Sequence, residues 1–117
     1  MINRPFKDNR GRLWNLKADR SAMARVFIGN GIDLTGGQPV WDRLAADMEL
    51  VVRVLWSICE PEADQRGITP EDFGRSLYSV DGRTIGGAVS AMLCSFADNY
   101  PRRERMILQR AVAAACV

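Results

Sequence analysis

Asp47-Met48-Glu49-Leu50-Val51-Val52-Arg53-Val54-Leu55-Trp56-Ser57-Ile58-Cys59-Glu60-Pro61 is the stretch from which the fold is read. Met48, Val51, Val52, Leu55, Ile58 and Cys59 recur at i, i+3, i+4 spacing, the signature of a helix with one apolar face. Val54 and Trp56 widen that face, which makes this the central helix of a bundle. Asp47 is placed to cap its N-terminus, and Glu49 adds favourable charge there. Pro61 is expected to bound it.

Upstream, Asp19 or Ser21 caps a helix running to about Gly29, with Ala22, Met23, Val26 and Phe27 expected inward. Gly29-Asn30-Gly31 stops it, because Gly and Asn accept the left-handed conformation of a helix end. Pro39 opens a short helix through Ala45 that turns Trp41 and Leu44 inward. At the start of the chain, Arg4-Pro5-Phe6-Lys7 and Arg12-Leu13-Trp14-Asn15-Leu16-Lys17 flank Asp8-Asn9-Arg10-Gly11, whose residues have turn chemistry. This predicts a β-hairpin with Trp14 and Leu16 on one face and Leu13 on the other. An isolated hairpin is marginal in water, so it is expected to lean on the helices through Trp14.

Downstream, Gly67-Ile68-Thr69-Pro70-Glu71-Asp72-Phe73 is a helix start. Thr69 caps, Pro70 takes the first helical position, and Ile68 and Phe73 form a staple across the cap. That helix is expected to end near 78–80, before an Asp81-Gly82-Arg83 turn. Thr84 caps another helix, with Ile85, Ala88, Val89, Met92, Leu93 and Phe96 as its buried stripe. Gly86 and Gly87 in its first turn each cost roughly 1 kcal/mol relative to Ala and would be tolerated if another backbone packs close there. Pro101 opens a last helix to about Ala115. The predicted fold is mainly α: one domain over 1–117, with an N-terminal hairpin (about 4–18) packed on a compact bundle of about five helices (about 19–115).

A hydrophobic fraction of 47% with 26% charged residues in 117 residues suits a single globular core and excludes disorder of the whole chain. Cys59, Cys94 and Cys116 have no C-x-x-C spacing, and the chain has no histidine. Neither a zinc site nor a Ser–His–Asp or Cys–His nucleophile pair is therefore expected within it. Gly29-Asn30-Gly31 and Gly36-Gly37 match no phosphate-binding loop. Glu60, Glu62 and Asp64 read as a solvated acidic turn. No enzyme, cofactor or metal is expected. The first residues hold no apolar run of a signal peptide, and no stretch approaches a membrane span, so a reducing cytoplasm is the expected setting.

The net charge is +2, too small to indicate nucleic acid, but it is unevenly spread: +3 over 1–58, −4 over 59–98 and +3 over 99–117. Arg102, Arg103, Arg105 and Arg110 on the last helix fit a solvated face, an acidic protein partner or a phosphate surface. Trp14 and Trp41 fit either a core or a partner surface, since tryptophan is enriched at binding hot spots. These six residues are the candidate partner-binding set.

The succession Phe6-Lys7-Asp8-Asn9-Arg10-Gly11-Arg12-Leu13-Trp14-Asn15-Leu16, a helix ending Gly29-Asn30-Gly31-Ile32-Asp33-Leu34, then Leu50-Val51-Val52-Arg53-Val54-Leu55-Trp56 and Gly67-Ile68-Thr69-Pro70-Glu71-Asp72-Phe73-Gly74 resembles the tail assembly chaperones of long-tailed bacteriophages. The resemblance covers roughly residues 5–112. It implies an assembly factor of the host cytoplasm that binds the phage tape measure protein and keeps it soluble while tail tube subunits polymerise. It also implies contact with the tail tube protein through a longer form, and it allows self-association. Nucleic acid and membrane are not expected partners. The competing readings are a structural phage protein, such as a head–tail connector or completion protein, and a small nucleic-acid-binding or inhibitory regulator.

Overall fold

A computed structural model describes residues 4–99. Its elements are β1 (Arg4–Lys7), β2 (Leu13–Leu16), α1 (Arg20–Asn30), α2 (Gln38–Ala46), α3 (Met48–Arg66), α4 (Pro70–Ser76) and α5 (Arg83–Asn99). The fold is mainly α with an N-terminal antiparallel hairpin, as the sequence predicts. The expected helix over 101–115 lies outside the described residues.

The hairpin pairs Arg4 with Leu16, Pro5 with Asn15, Phe6 with Trp14 and Lys7 with Leu13. This register puts Phe6, Trp14 and Leu16 on the buried face and leaves Leu13 exposed. The alternation is that of a sheet with one wet face. Helix α3 is the central element, in contact with α1, α2, α4, α5 and β2, while α5 lies against β1. At its far end, Arg4 pairs with Asp98 (Nε–Oδ2 2.8 Å), and the Ala18 amide donates to the buried Ser95 hydroxyl (2.9 Å). One continuous core runs from Phe6 to Phe96.

The caps follow the local chemistry. Asp19 accepts from the Ala22 amide, Asp47 from Leu50 and Thr69 from Asp72. Ile68 and Phe73 are both buried across the Thr69 cap. Gly31 ends α1 at φ 67° and donates to the Phe27 carbonyl, a left-handed position that suits glycine.

Several expectations are corrected. Helix α3 does not stop at Pro61 but continues to Arg66, with Gly67 as its cap. A proline inside a helix removes one hydrogen bond to the i−4 carbonyl and crowds it, at a cost of about 3 kcal/mol. Here that carbonyl belongs to Ser57, and it accepts from Arg25 Nε of α1 at 2.8 Å. The next carbonyl, Ile58, accepts from Arg25 Nη2 at 3.1 Å. A donor from the neighbouring helix therefore replaces the missing amide. Helix α4 ends at Ser76, short of 78–80.

Phe27 and Met48, expected inward, are exposed. Helix α1 meets α3 through Ala22, Arg25, Val26 and Gly29, an i, i+3, i+4, i+7 set. A Cβ on Gly29 would sit 3.4 Å from Ser57 Oγ. Phe27 lies well round the helix from that face and is therefore turned outward. Met48 precedes Leu50 and Val51, where burial of α3 begins. In α5, Ala88, Met92, Leu93 and Phe96 are buried as expected, while Ile85 and Val89 are half-buried.

No backbone approaches Gly86 or Gly87: among the described residues, a Cβ at either would meet nothing within 4 Å. Gly86→Ala and Gly87→Ala should each stabilise the protein by about 0.5–1 kcal/mol through helix propensity. Thermal unfolding of the two variants checks this; a lowered midpoint would mean that something does pack there.

Candidate functional site

The hairpin turn is built around a buried carboxylate. Asp8 is 4% exposed. Its Oδ1 accepts from the amides of Arg10 (3.0 Å) and Arg12 (2.9 Å), and its Oδ2 from Arg12 Nε (2.7 Å) and the Trp14 indole Nε1 (3.0 Å). Burial pushes the Asp8 pKa up. The hydrogen bonds from Trp14 and Arg12 and from the two amides push it down, and together they leave it below the ordinary value. Arg12 also reaches Asp72 of α4 (3.4 Å), which pairs with Arg10 at 2.8 Å. Among the described residues, Arg12 Nη2 is the buried side-chain polar atom without a hydrogen-bond partner.

The same turn closes the end of α4. The Asn9 amide donates to the Ser76 carbonyl (2.8 Å), and Asn9 Nδ2 donates to the carbonyls of Arg75 (2.7 Å) and Tyr78 (2.6 Å). The last carbonyls of a helix have no partner within it, and a helix as short as α4 cannot hold itself together in water. The hairpin supplies what α4 lacks.

Trp14, expected as either core or partner-facing, is core: it is 0% exposed. Its ring stacks on Phe6 (centroids 6.3 Å apart) and meets Phe73 edge-on (5.1 Å). The Arg66 guanidinium lies 5.0 Å from its centroid. Trp41 is also core, 6% exposed, against Phe96 at 5.6 Å. Neither indole is presented to a partner in this conformation. Both were drawn inward because the hairpin and the short α2 have few other large apolar groups with which to anchor. Arg102, Arg103, Arg105 and Arg110 lie outside the described residues.

The described residues gather no group of His, Cys, Asp or Glu able to hold a metal ion. Of the acidic cluster, Glu62 is engaged in structure: it pairs with Arg66 at 2.9 Å and accepts from the Asn15 amide at 3.2 Å. Cys59 and Cys94 are free thiols. Burial, reinforced by the nearby Glu62 charge, pushes the Cys59 thiol up to about 12, which keeps it protonated and unreactive at neutral pH. Among the described residues, no helix is long and apolar enough to cross a membrane.

The surface feature that sequence reasoning missed lies on α1. Ala24, Phe27 and Ile28 are exposed on the face opposite Ala22 and Val26, with Phe27 58% and Ile28 83% exposed. The visible signal was the run Val26-Phe27-Ile28: three consecutive large apolar residues cannot all face one side of a helix. Searches of protein-family models, of curated proteins and of solved structures find nothing that matches this chain.

Loss of the Asp8 charge should destabilise the protein in acid. Its folded pKa lies below the ordinary 3.8, so its contribution is complete above that value and fades as pH falls through the lower, folded one. Asp8→Asn turns an amide donor toward Arg12 and Trp14 and should cost about 2–3 kcal/mol at pH 7. Urea midpoints of both proteins between pH 7 and pH 2.5 should converge as the wild type loses its advantage. Parallel curves would rule out this role for Asp8.

Proposed function

We propose that this protein is a protein-binding assembly factor of the tail assembly chaperone type, which covers apolar helical surface on a phage tape measure protein in the host cytoplasm. The observation that supports this reading best is the exposed apolar face of α1, Ala24-Phe27-Ile28. These residues are spaced i, i+3, i+4, the arrangement with which one helix lies along another. The resemblance in the order of hairpin, central helix and Thr69-capped turn supports the same reading.

The magnitudes favour transient binding. Burying one large aliphatic or aromatic side chain contributes about 1.5–3 kcal/mol. Phe27 and Ile28 together therefore supply gross stabilisation similar in size to the loss of rotational and translational freedom on association. A single site of this kind is weak and readily released. Several copies along one long helical partner would hold it through multivalency. A holdase displaced by polymerising tube subunits needs that combination, and self-association would strengthen it further.

Co-expression with the tape measure protein of the same genome tests the reading. The expected result is a soluble complex that co-purifies, and its loss in Phe27→Asp/Ile28→Asp with the helical circular dichroism unchanged. If the tape measure protein is no more soluble with the wild-type chain than without it, and no complex forms, the reading is wrong.

A further inference from the structure

The end of α3 beyond Pro61 buries one small side chain, Ala63, and lays Arg66 over the Trp14 ring at 5.0 Å; its remaining ties to the hairpin are polar. Glu62 accepts from the Asn15 amide (3.2 Å), and Arg66 Nη2 donates to the Leu13 carbonyl (2.7 Å). Both are main-chain groups on the edge of β2 that faces away from β1, and the register, with Pro5 opposite Asn15, leaves them without a strand partner. Glu62 and Arg66 are themselves paired at 2.9 Å, so a helical i, i+4 ion pair occupies the place of a third strand. An uncovered strand edge is a template for unwanted pairing, and a charged cover is one way to blunt it.

This cover hangs on the proline. Pro61 leaves the Ser57 carbonyl without its intrahelical donor, and Arg25 of α1 serves that carbonyl and Ile58's. The site is reinforced from both helices. Asn30 Nδ2 donates to Ser57 Oγ (2.9 Å) and to the Val26 carbonyl (3.2 Å), and Ser57 Oγ donates to the Arg53 carbonyl (3.1 Å). We propose that 61–66 is a clasp that opens about Pro61 as a unit, that its opening uncovers the outer edge of β2, and that Arg25 is the pin holding it shut. The inference is independent of the proposed partner.

Arg25 acts here by standing in for one missing amide, which gives the test its control. In Arg25→Met, the amide protons of 62–68 and of Asn15 should exchange with solvent faster by at least about tenfold, the scale of one lost charge-assisted hydrogen bond, while those of Val54 and Leu55 hold. Adding Pro61→Ala restores an N–H to the Ser57 carbonyl, so the double variant should return 62–68 and Asn15 to within about threefold of the wild type. If Arg25→Met does not fold, the double variant should. The proposal is overturned if exchange at 62–68 and Asn15 is unchanged in Arg25→Met. It is equally overturned if acceleration spreads evenly to Val54 and Leu55, or if Pro61→Ala fails to rescue.

Discussion

A buried carboxylate with every donor aimed at it sets the terms for the rest of this fold. Asp8 is shielded from water, and a charge in that position survives only when it is fully hydrogen-bonded. Two amides of its own turn, the Arg12 side chain and the Trp14 indole meet that requirement. The arrangement fixes the turn, and with it the register that sends Phe6, Trp14 and Leu16 to the same side. Removing any one donor leaves the charge under-satisfied, so turn, register and indole orientation stand or fall together.

From that point the constraint propagates outward. The indole held by Asp8 packs on Phe73, which also meets Trp56 at 5.5 Å, so α4 and α3 share one aromatic cluster with the hairpin. Asn9, the next residue in the turn, satisfies the carbonyls at the end of α4. Arg66 reaches over the Trp14 ring from the end of α3. The hairpin is thus a clamp between α4 and the end of α3. Helix α1 enters through Arg25, which makes an uninterrupted α3 compatible with Pro61. With the core committed inward in this way, the face of α1 that carries Phe27 and Ile28 is left to solvent.

Much of this architecture is legible in local chemistry. The Asp19, Asp47 and Thr69 caps, the Ile68–Phe73 staple, the Gly31 stop and the hairpin alternation depend on residues a few positions apart, and each is where the sequence puts it. The misreadings share one cause. Pro61 ends a helix unless another segment supplies a donor, and Arg25 lies 36 positions away with nothing nearby to announce it. Phe27 has i, i+4 spacing with Met23, but the face of Ala22, Arg25, Val26 and Gly29 decides which way the helix rolls. Asp8 reads as a turn former, and only the folded chain brings Trp14 Nε1 to it. Trp14 and Trp41 could be weighed between surface and core by type alone; the space to be filled beside Phe73 and Phe96 decides for the core.

The central claim is that the hairpin and the helices are one cooperative unit, locked through Asp8 and Trp14. The most direct measurement is a denaturant titration that follows the Trp14 indole N–H resonance alongside helical circular dichroism. The account predicts that the two signals are lost at the same midpoint, because the indole cannot leave Asp8 without releasing α4. Loss of the native indole resonance at clearly lower denaturant, with helicity intact, would show the hairpin to be an appendage and contradict the account.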